Sequence, residues 1–310
     1  MFEINLLQWA ASLHRDLMAG KYRSRGFNHF TLCERGKRRE ISSVHISERC
    51  VQKCLCRYAL QPVILPQLIY DNTATLKDRG TDFAVKRLRE HLRWHLARYG
   101  RAGGILTLDY HNFFGSIRHD LLLSMLRPLI DDDRVFGLTA YFIGCFPGEV
   151  GLGLGSEISQ VCAVFYPNSL DHYLKDTLGV HCFARYMDDS YTMSNNLDEL
   201  RYHREIITRK SAELGLQLNE KLTQITRFDG GSFIYLKKRV FITEDNRIVM
   251  RLVPKNITQR RRLIKKHNVM VAEGQMTAEA RHQSFTSWRG YAEKYDSHRS
   301  IQKLESMLEE

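Results

Sequence analysis

The sequence predicts an α+β fold, because short apolar strand-like segments alternate with longer amphipathic helices. One observation is the pair of adjacent acids Asp188 and Asp189, which lies between an apolar, aromatic lead-in and a β-branched, aromatic exit. This order is typical of two strands joined by a tight turn. A second is an apolar segment that ends in Asp109, and a third is the helical spacing of apolar residues in 1–20 and 82–99.

The acidic residues predict a cation site. Two neighbouring carboxylates repel each other and raise each other's pKa unless a cation lies beside them. Mg²⁺ is the expected cation, since this hard ion takes oxygen ligands and is commonly held by a few carboxylates and substrate phosphates. For an isolated Asp-Asp pair, a solvated turn or a helix N-terminus, where acids are favoured, would be the better interpretation. The upstream Asp109 favours the metal site, because acids from different strands can converge on two metal ions.

Both acidic segments resemble the catalytic blocks of reverse transcriptases. The string Tyr-Met-Asp-Asp at 186–189 is similar to their catalytic hairpin, and Asp109 is followed five residues later by the aromatic Phe114. The resemblance implies that Phe114 excludes a ribose 2′-hydroxyl and so selects deoxynucleotides; an ordinary core aromatic is the alternative. It also implies catalysis by Asp109, Asp188 and Asp189, with two Mg²⁺ ions, or Mn²⁺ in their place, held by Asp109, Tyr110, Asp188 and Asp189.

A glycine-rich segment at 151–160 lies between the two acidic blocks and resembles a nucleotide-binding block of the same family. Its glycines allow close backbone approach to a ligand, and Ser156 can cap the following helix. Leu154 and Gln160 replace the family's usual Gln and Pro, a form characteristic of diversity-generating retroelements, whose enzymes copy RNA with errors at adenines. Leu154, Gly155 and Gln160 are therefore expected at the nucleotide. Leu154 and Gln160 either tune fidelity or merely pack against the palm helix, and the sequence leaves both open.

Two basic segments near the N-terminus resemble the fingers of bacterial reverse transcriptases. A hairpin expected within 30–48 carries Arg38 and Arg39, which would hold template phosphates or the incoming triphosphate. Any single one of these cations is also compatible with a solvated surface. An Arg-Gly-Thr string that begins at Arg79 fits a second fingers block, so Lys77 and Arg79 are expected to bind the nucleotide.

The C-terminal part resembles the end of a polymerase palm followed by a helical thumb. Residues 215–225 are similar to a family strand with a proton-donating Lys, but here Leu222 takes that place and Lys221 comes one residue early. Seven Lys and Arg and no acid lie between residues 251 and 270, so a phosphate-binding helix is expected there. The residues expected to contact nucleic acid are Arg38, Arg39, Tyr186, Phe233 in a primer-grip hairpin, Lys255, Arg260, Arg261, Arg262, Lys265 and Lys266.

The composition favours a polyanionic partner and a reducing compartment. The net charge is +11 and the pI about 9.3. The seven cysteines are odd in number and scattered, which argues against a disulfide framework and predicts a cytoplasmic protein. Cys50, Cys54 and Cys56 lack a second ligand pair for zinc and are expected to be buried thiols, while His91 and His95 are expected at the surface or in packing. No apolar run reaches the length of a membrane span, and the acidic N-terminus is unlike a signal peptide.

Together, the blocks imply a right-hand polymerase with a ferredoxin-like (RRM-like) palm. The expected parts are fingers at 1–100, a palm at 101–230, and a primer-grip hairpin with a short helical thumb at 231–310. The expected activity is RNA-directed DNA synthesis, with an RNA template, a DNA or RNA primer and deoxynucleoside triphosphates as partners, and a small accessory protein besides. The alternatives are a retron-type or antiphage-defence reverse transcriptase and a catalytically silent nucleic-acid-binding scaffold.

Overall fold

This computed structural model of the protein describes residues 5–34 and 37–308, except for the side chains at positions 34, 37, 39 and 47. Its strands are β1 (Phe27–Glu34), β2 (Lys37–Val44), β3 (Gly104–Leu108), β4 (Phe183–Tyr186), β5 (Asp189–Ser194), β6 (Gln224–Arg227), β7 (Ser232–Tyr235), β8 (Lys238–Ile242) and β9 (Ile248–Leu252). Its α-helices are α1 (Leu6–Met18), α2 (Ile46–Leu55), α3 (Gln61–Ile64), α4 (Thr81–Tyr99), α5 (His119–Leu126), α6 (Asp133–Gly144), α7 (Glu157–Phe165), α8 (Asn168–His172), α9 (Leu197–Glu213), α10 (Pro254–Ala272), α11 (Ala278–Ala292) and α12 (His298–Glu305). The expected α+β class is confirmed. Within the described ranges, no helix combines the length and apolar character needed to cross a membrane.

The chain forms two compact units that interleave along the sequence. One consists of Met1–Ala84, Leu108–Ser190 and Tyr202–Thr223, and the other of Val85–Thr107, Tyr191–Arg201 and Gln224–Glu310. Neither unit is a continuous stretch of chain. The division into fingers, palm and thumb at residues 100 and 230 therefore stays a prediction.

The first unit begins with α1, in which no residue is buried, and the β1–β2 hairpin. The two strands pair antiparallel, with Phe27 opposite Val44. Phe27 stacks on Phe146 with ring centroids 4.6 Å apart. Because side chains alternate between the two faces of a strand, Phe30 and Leu32 lie on the opposite face, and they are 48 % and 46 % exposed.

Pro167 divides one apolar stretch of the first unit into two helices. α7 ends at Phe165 and α8 begins at Asn168, because proline lacks a backbone N–H and its ring clashes with the preceding turn. The expected break is confirmed. α7 is buried along most of its length, from Ile158 to Phe165, so it forms the centre of this part of the core.

A buried ion pair ties α8 to β4. Asp171 and Arg185 are 0 % and 1 % exposed. The Arg185 Nε lies 2.8 and 2.9 Å from the two carboxylate oxygens, and a second guanidinium nitrogen lies 2.5 Å from one of them. That nitrogen also donates to the Val164 carbonyl (2.8 Å), and the Arg185 carbonyl accepts the N–H of Thr73 (2.9 Å). Burial raises the pKa of Asp171, and the charge of Arg185 opposes this rise.

The central sheet has the strand order β4-β5-β3-β6. β3 pairs antiparallel with β6, with Leu106 opposite Ile225. Gly103 lies where β3 begins: its φ is +77°, and a Cβ built on it would lie 2.0 Å from the carbonyl oxygen of Ser194, the last residue of β5. Only glycine permits this approach. Since β3 begins where its neighbour β5 ends, the two strands run antiparallel.

The second unit contains an antiparallel sheet of order β7-β8-β9, followed in sequence by α10, α11 and α12. The chain between α11 and α12 covers the edge of β9. The Met250 N–H donates to the Asp296 carboxylate (2.9 Å), and the Leu252 N–H donates to the Ser297 hydroxyl (3.1 Å). Backbone donors that would otherwise be exposed at this edge are thereby satisfied.

The histidines with helical spacing are packing residues, as one of the two expectations had it. His91 and His95 are 2 % and 1 % exposed. The Nδ1 of His91 lies 2.9 Å from the Tyr191 hydroxyl, and the Nε2 of His95 lies 2.9 Å from the Ala102 carbonyl. Burial lowers the pKa of His95.

The cysteines in and directly after α2 do not all behave as expected. Cys56 is buried, but Cys50 and Cys54 are exposed, and all three are free thiols. The apolar residues on the buried face of α2 are instead Val51 and Leu55. Cys50 and Cys54 are four residues apart and therefore share the solvent-facing side of the helix.

Replacing Asp171 by Asn is expected to lower the free energy of unfolding by about 3–5 kcal/mol, because Arg185 would remain buried without a counter-charge. Denaturant unfolding measures the change. The control is Asp120→Asn, which breaks the exposed pair of Arg118 and Asp120 and should leave the unfolding midpoint unchanged. Equal effects of the two substitutions would show that the buried pair matters no more than a surface pair.

Candidate functional site

The turn between β4 and β5 presents the two adjacent acids. Met187 in this turn has a φ of 54°, a left-handed conformation that costs an L-residue about 1–2 kcal/mol. The Arg185 guanidinium donates to the Met187 carbonyl (3.2 Å), so the ion pair with Asp171 also supports the turn. Asp188 lies in the turn and Asp189 opens β5, and both side chains are half-buried.

Asp109 reaches the same edge of the sheet from another strand. It follows directly on β3, and the end of β3 lies beside the start of β5, because these neighbours run antiparallel. The structure therefore brings Asp109, Asp188 and Asp189 to one edge, and all three belong to the same compact unit.

Asn219 holds Asp109 in place. Its backbone N–H donates to the Asp109 carbonyl (2.8 Å), and its side-chain Nδ2 donates to the Asp109 carboxylate (3.3 Å). The Asn219 Oδ1 accepts the N–H of Lys221 (3.2 Å), which settles the orientation of the amide, with the oxygen toward the turn and the nitrogen toward the acid. Nothing in the sequence pattern indicates this role, since the two residues are 110 positions apart.

The oxygen donors at this edge fit a hard divalent cation such as Mg²⁺. Tyr110 contributes at most its main-chain carbonyl, because its phenol is buried with the hydroxyl 2.9 Å from Ser211 Oγ, and burial raises the pKa of Tyr110 to about 12. In the part of the chain that the structure describes, no three His, Cys, Asp or Glu side chains are close enough to hold a metal ion by themselves. Phosphate and water oxygens would therefore have to complete the coordination.

Phe113 and Phe114 differ in how deeply they are buried. Phe113 is 3 % exposed and stacks on Tyr110 with ring centroids 5.6 Å apart. Phe114 is half-buried and meets the edge of Phe113, also at 5.6 Å. Phe113 is the core aromatic, and Phe114 stays accessible for contact with a nucleotide sugar.

The glycine-rich segment makes its close contacts with the β1–β2 hairpin. The Ser42 N–H donates to the Leu154 carbonyl (2.8 Å). A Cβ on Gly153 would lie 2.7 Å from the Ser42 Cβ, and one on Gly155, at φ +104°, would lie 2.9 Å from Ile41 Cγ2. At Gly153 and Gly155 the close approach is therefore made by protein atoms, and contact of this segment with a nucleotide stays a prediction. Leu154 remains half-buried, and Gly155 and Gln160 are exposed.

Ser156 also differs from expectation. It stands at the start of α7 but makes no capping hydrogen bond with its side chain. Its hydroxyl donates instead to Oε1 of Gln52 on α2 (2.8 Å), where both residues are buried. α2 is therefore linked directly to the residue that follows Gly155.

The basic residues of the fingers-like segments fall into two groups. Arg38 and Lys77 are exposed and remain available to an anion, whereas the side chain of Arg39 lies outside the described residues. Arg79 is used within its own loop: its guanidinium donates to the Tyr70 carbonyl (2.7 Å) and lies over the Phe83 ring at 5.1 Å. Contact of Arg79 with a nucleotide would have to use its remaining N–H groups.

Tyr186 precedes the turn that carries Asp188 and Asp189, and it is half-buried. Burial raises the pKa of Tyr186, and the charges of Asp189 and Asp188 raise it further. Its hydroxyl therefore stays protonated at neutral pH and can act as a hydrogen-bond donor.

The structure corrects the assignment of Phe233. This residue is 4 % exposed and faces the core, whereas its neighbour Ile234 is 62 % exposed, because adjacent residues of β7 face opposite sides. The hairpin turn is formed by Leu236 and Lys237, whose φ values are 46° and 64°. Two left-handed residues define a type I′ turn, in which Asn and Gly are usual. Ile234 is therefore the exposed apolar side chain of β7.

Arg260 is also corrected. It is 8 % exposed, with its guanidinium over the rings of Phe285 and Trp288, each at 5.7 Å, and burial lowers the pKa of Arg260. It packs between α10 and α11 instead of facing a phosphate backbone. The other cations expected to bind nucleic acid on this helix are exposed, namely Lys255, Arg261, Arg262, Lys265 and Lys266.

The strand expected over 215–225 is largely absent. Leu218 forms one isolated bridge, residues 220–222 form a turn, and β6 begins only at Gln224. Lys221 and Leu222 lie in this turn, and Leu222 is 55 % exposed. The alternation of strand faces therefore does not apply to them.

Comparisons with known proteins agree with this architecture. Residues 28–259 match the protein family described as reverse transcriptase (RNA-dependent DNA polymerase). No curated protein matches the sequence significantly. Among solved structures, the chain is similar to telomerase from Candida albicans in complex with a fragment of telomeric RNA, at a TM-score of 0.57 and 10 % identity over 92 % of this chain and 60 % of that one. It is also similar to apo telomerase from Candida tropicalis, at a TM-score of 0.56 and 11 % identity over 96 % of this chain and 63 % of that one.

These similarities to solved structures are evidence for the fold. The chain spans about 60 % of the length of the Candida albicans telomerase chain, and identities of 10 and 11 % show a shared architecture and no more. The polymerase fold that the sequence blocks implied is confirmed.

Replacing Asn219 by Ala is expected to lower the kcat of nucleotide addition about tenfold, the equivalent of one hydrogen bond to a charged group. The affinity for primer and template should not change, because Asn219 acts through Asp109. Single-turnover kinetics with a binding titration separate the two quantities. The control is Asn195→Ala, at an exposed position after β5. A loss of affinity with unchanged kcat would contradict the positioning role.

Proposed function

We propose that this chain, which belongs to the reverse transcriptase (RNA-dependent DNA polymerase) family, synthesises DNA on an RNA template. The observation that carries this function is the delivery of Asp109, Asp188 and Asp189 to one edge of an antiparallel sheet. Acids would weaken the affinity of a pure binding scaffold for phosphates. Their convergence in a chain of net charge +11 therefore favours an enzyme over a silent nucleic-acid-binding module.

The proposed reaction is the transfer of a deoxynucleotide to a primer 3′-hydroxyl. The hydroxyl oxygen bonds to the α-phosphorus of the incoming triphosphate, and the bond from this phosphorus to the pyrophosphate group breaks. Asn219 orients Asp109, and Arg185 supports the turn with the other two acids. Divalent ions at this edge, when bound, activate the hydroxyl and neutralise the phosphates. The groups that would hold two Mg²⁺ ions, or Mn²⁺, are Asp109, Asp188, Asp189 and the main-chain carbonyl of Tyr110.

The proposed partners are an RNA template, a DNA or RNA primer and deoxynucleoside triphosphates. The exposed cations of α10 support contact with the nucleic-acid backbone, because phosphate contacts supply most sequence-independent affinity. Arg38 and Lys77, both exposed, would meet the template or the triphosphate. We also propose a small accessory protein as a partner and a cytoplasmic location.

A narrower role in a diversity-generating retroelement rests on the segment around Leu154. An aliphatic side chain at the position where the family places an amide would remove a hydrogen bond that checks the nascent base pair. The segment is held against β2 by the bond between Ser42 and Leu154, so the side chain at 154 occupies a defined place. A retron-type or antiphage-defence enzyme is the alternative.

Primer extension on an RNA template with Mg²⁺ tests the polymerase. DNA products are expected from the native chain, and Asp188→Asn should reduce the rate by at least about a thousandfold, because a carboxylate is lost from the metal-binding edge. Asp131→Asn, an exposed acid between α5 and α6, is the matched control and should retain full activity. Equal activity of the Asp188 variant and the native chain would rule out this edge as the catalytic site.

Sequencing of the same products separates the two roles. Errors concentrated opposite template adenines, and reduced in Leu154→Gln, are expected for the mutagenic retroelement. Errors that are rare and evenly distributed in both proteins would remove that role and leave the retron-type or defence enzyme.

Phe114→Ala is expected to admit ribonucleotides. The smaller side chain would no longer clash with a 2′-hydroxyl, so discrimination against ribonucleotides should fall about 10- to 100-fold, within the range of one lost steric contact. This discrimination is measured as the ratio of kcat/KM for a deoxynucleotide to kcat/KM for the corresponding ribonucleotide. Tyr202→Ala, at an exposed aromatic of α9, serves as the control. An unchanged ratio would assign Phe114 to packing alone.

A further inference from the structure

The last two turns of α4 carry exposed aromatic side chains next to arginines. Trp94 and Tyr99 are 37 % and 36 % exposed, and Arg93 and Arg98 are exposed beside them. All four residues lie in the second compact unit. We call this group of four residues the α4 patch.

Three side chains of the α4 patch contact one another. The Arg98 guanidinium lies over the Trp94 ring at 5.6 Å and over the Tyr99 ring at 5.9 Å. The two rings meet edge to face, with their centroids 6.0 Å apart. Cation–π and aromatic contacts favour these orientations. Two flat rings and a planar guanidinium are therefore held close together before any ligand binds.

Buried residues support the α4 patch from behind. His95 is 1 % exposed, and its ring lies 5.3 Å from the Tyr99 ring and 4.9 Å from the Phe228 ring. The Nε2 of His95 also lies 2.9 Å from the Ala102 carbonyl, and Leu92, one turn earlier, is 0 % exposed. Because this side of α4 is packed, the patch keeps its place at the surface.

The positive charge of the α4 patch is not balanced by acids. Between Glu90 and the start of β3, the chain contains three arginines and no acid. Glu90 itself already pairs with an earlier arginine of the helix. Within the described ranges, no acidic side chain forms an ion pair with Arg93 or Arg98. The helix dipole favours a cation near the end of α4, but it does not account for the two exposed rings beside it.

We propose that the α4 patch binds single-stranded RNA, with bases stacked on Trp94 and Tyr99 and phosphates held by Arg93 and Arg98. This inference rests on the proposed function, in which the part of an RNA template that is not yet copied is single-stranded. Binding at the patch involves no covalent step.

The combination of rings and charge favours RNA over an acidic protein surface. Every base has a flat π face, so aromatic side chains bind single strands with little dependence on sequence. An arginine can stack on a base with its guanidinium plane and can also donate to phosphate oxygens. An acidic peptide would satisfy the arginines but would leave the two rings without a planar partner.

The test measures the affinity for a short, unstructured single-stranded RNA by fluorescence anisotropy. The native chain is compared with Trp94→Ala, Trp94→Phe and Arg98→Ala. Loss of one stacked ring should raise the dissociation constant about tenfold, and Trp94→Phe should retain part of the affinity because its ring also stacks. Arg98→Ala should weaken binding and reduce the slope of log K against log salt concentration by about 0.7, the value for one phosphate contact on a single strand.

The matched control is the double substitution Tyr202→Ala and Arg204→Ala, at exposed residues of α9, and it should leave the RNA affinity unchanged. Thermal unfolding checks the fold of each variant. Unchanged RNA affinity in Trp94→Ala, or an equal loss in the α9 control, would overturn the inference. Polyglutamate binding as tight as that of RNA, and lost in Trp94→Ala, would also overturn it and assign the patch to an acidic protein.

The assay separates this inference from the proposed function, because it measures binding without catalysis. Normal primer extension with unchanged RNA affinity in Trp94→Ala would remove the RNA site and leave the polymerase standing. A native chain that extends no primer, but loses RNA affinity in Trp94→Ala and keeps it in the α9 control, would defeat the polymerase and retain the RNA site.

Discussion

The buried pair of Asp171 and Arg185 is the interaction on which the acid-bearing edge of the central sheet depends. A guanidinium with almost no exposure cannot be left uncompensated, so its position fixes whatever it touches. It contacts α7 through Val164, α8 through Asp171 and the strained turn through Met187. Hydrogen bonds from one guanidinium group therefore hold together three elements that are separate in sequence. The turn can keep its left-handed residue because the surrounding structure determines its conformation.

The parts of the fold that local patterns determine could be predicted from the sequence. The strand pair around 186–189 follows from alternation and turn chemistry, and the break at Pro167 follows from the missing backbone donor. Features that depend on distant partners could not be predicted. The role of Asn219 is visible only in the folded chain, where its side chain donates a hydrogen bond to the Asp109 carboxylate. Arg260 has the same local character as its exposed neighbours, and only its contact with α11 removes it from the surface.

Phe233 and the glycine-rich segment show a second limit of prediction from the sequence. A strand with one buried face specifies which residues point outward only when its register is known, and here the register exposes Ile234 instead of Phe233. Glycines permit close approach without specifying what approaches. At 153 the approaching atoms belong to Ser42 of β2 and to Phe146, and at 155 they belong to Ile41 and Ser42 of β2.

The composition of the acid-bearing edge would also constrain how it acquires metal ions in the proposed reaction. Its carboxylates are accompanied by a neutral amide, Asn219, and in the described residues no third acid, His or Cys joins any pair closely enough to complete a metal site. On the proposed function, a divalent ion at this edge would gain its remaining ligands from the Tyr110 main-chain carbonyl and from water and phosphate oxygens. Metal binding and nucleotide binding would then be linked, because the nucleotide would supply some of the metal's ligands.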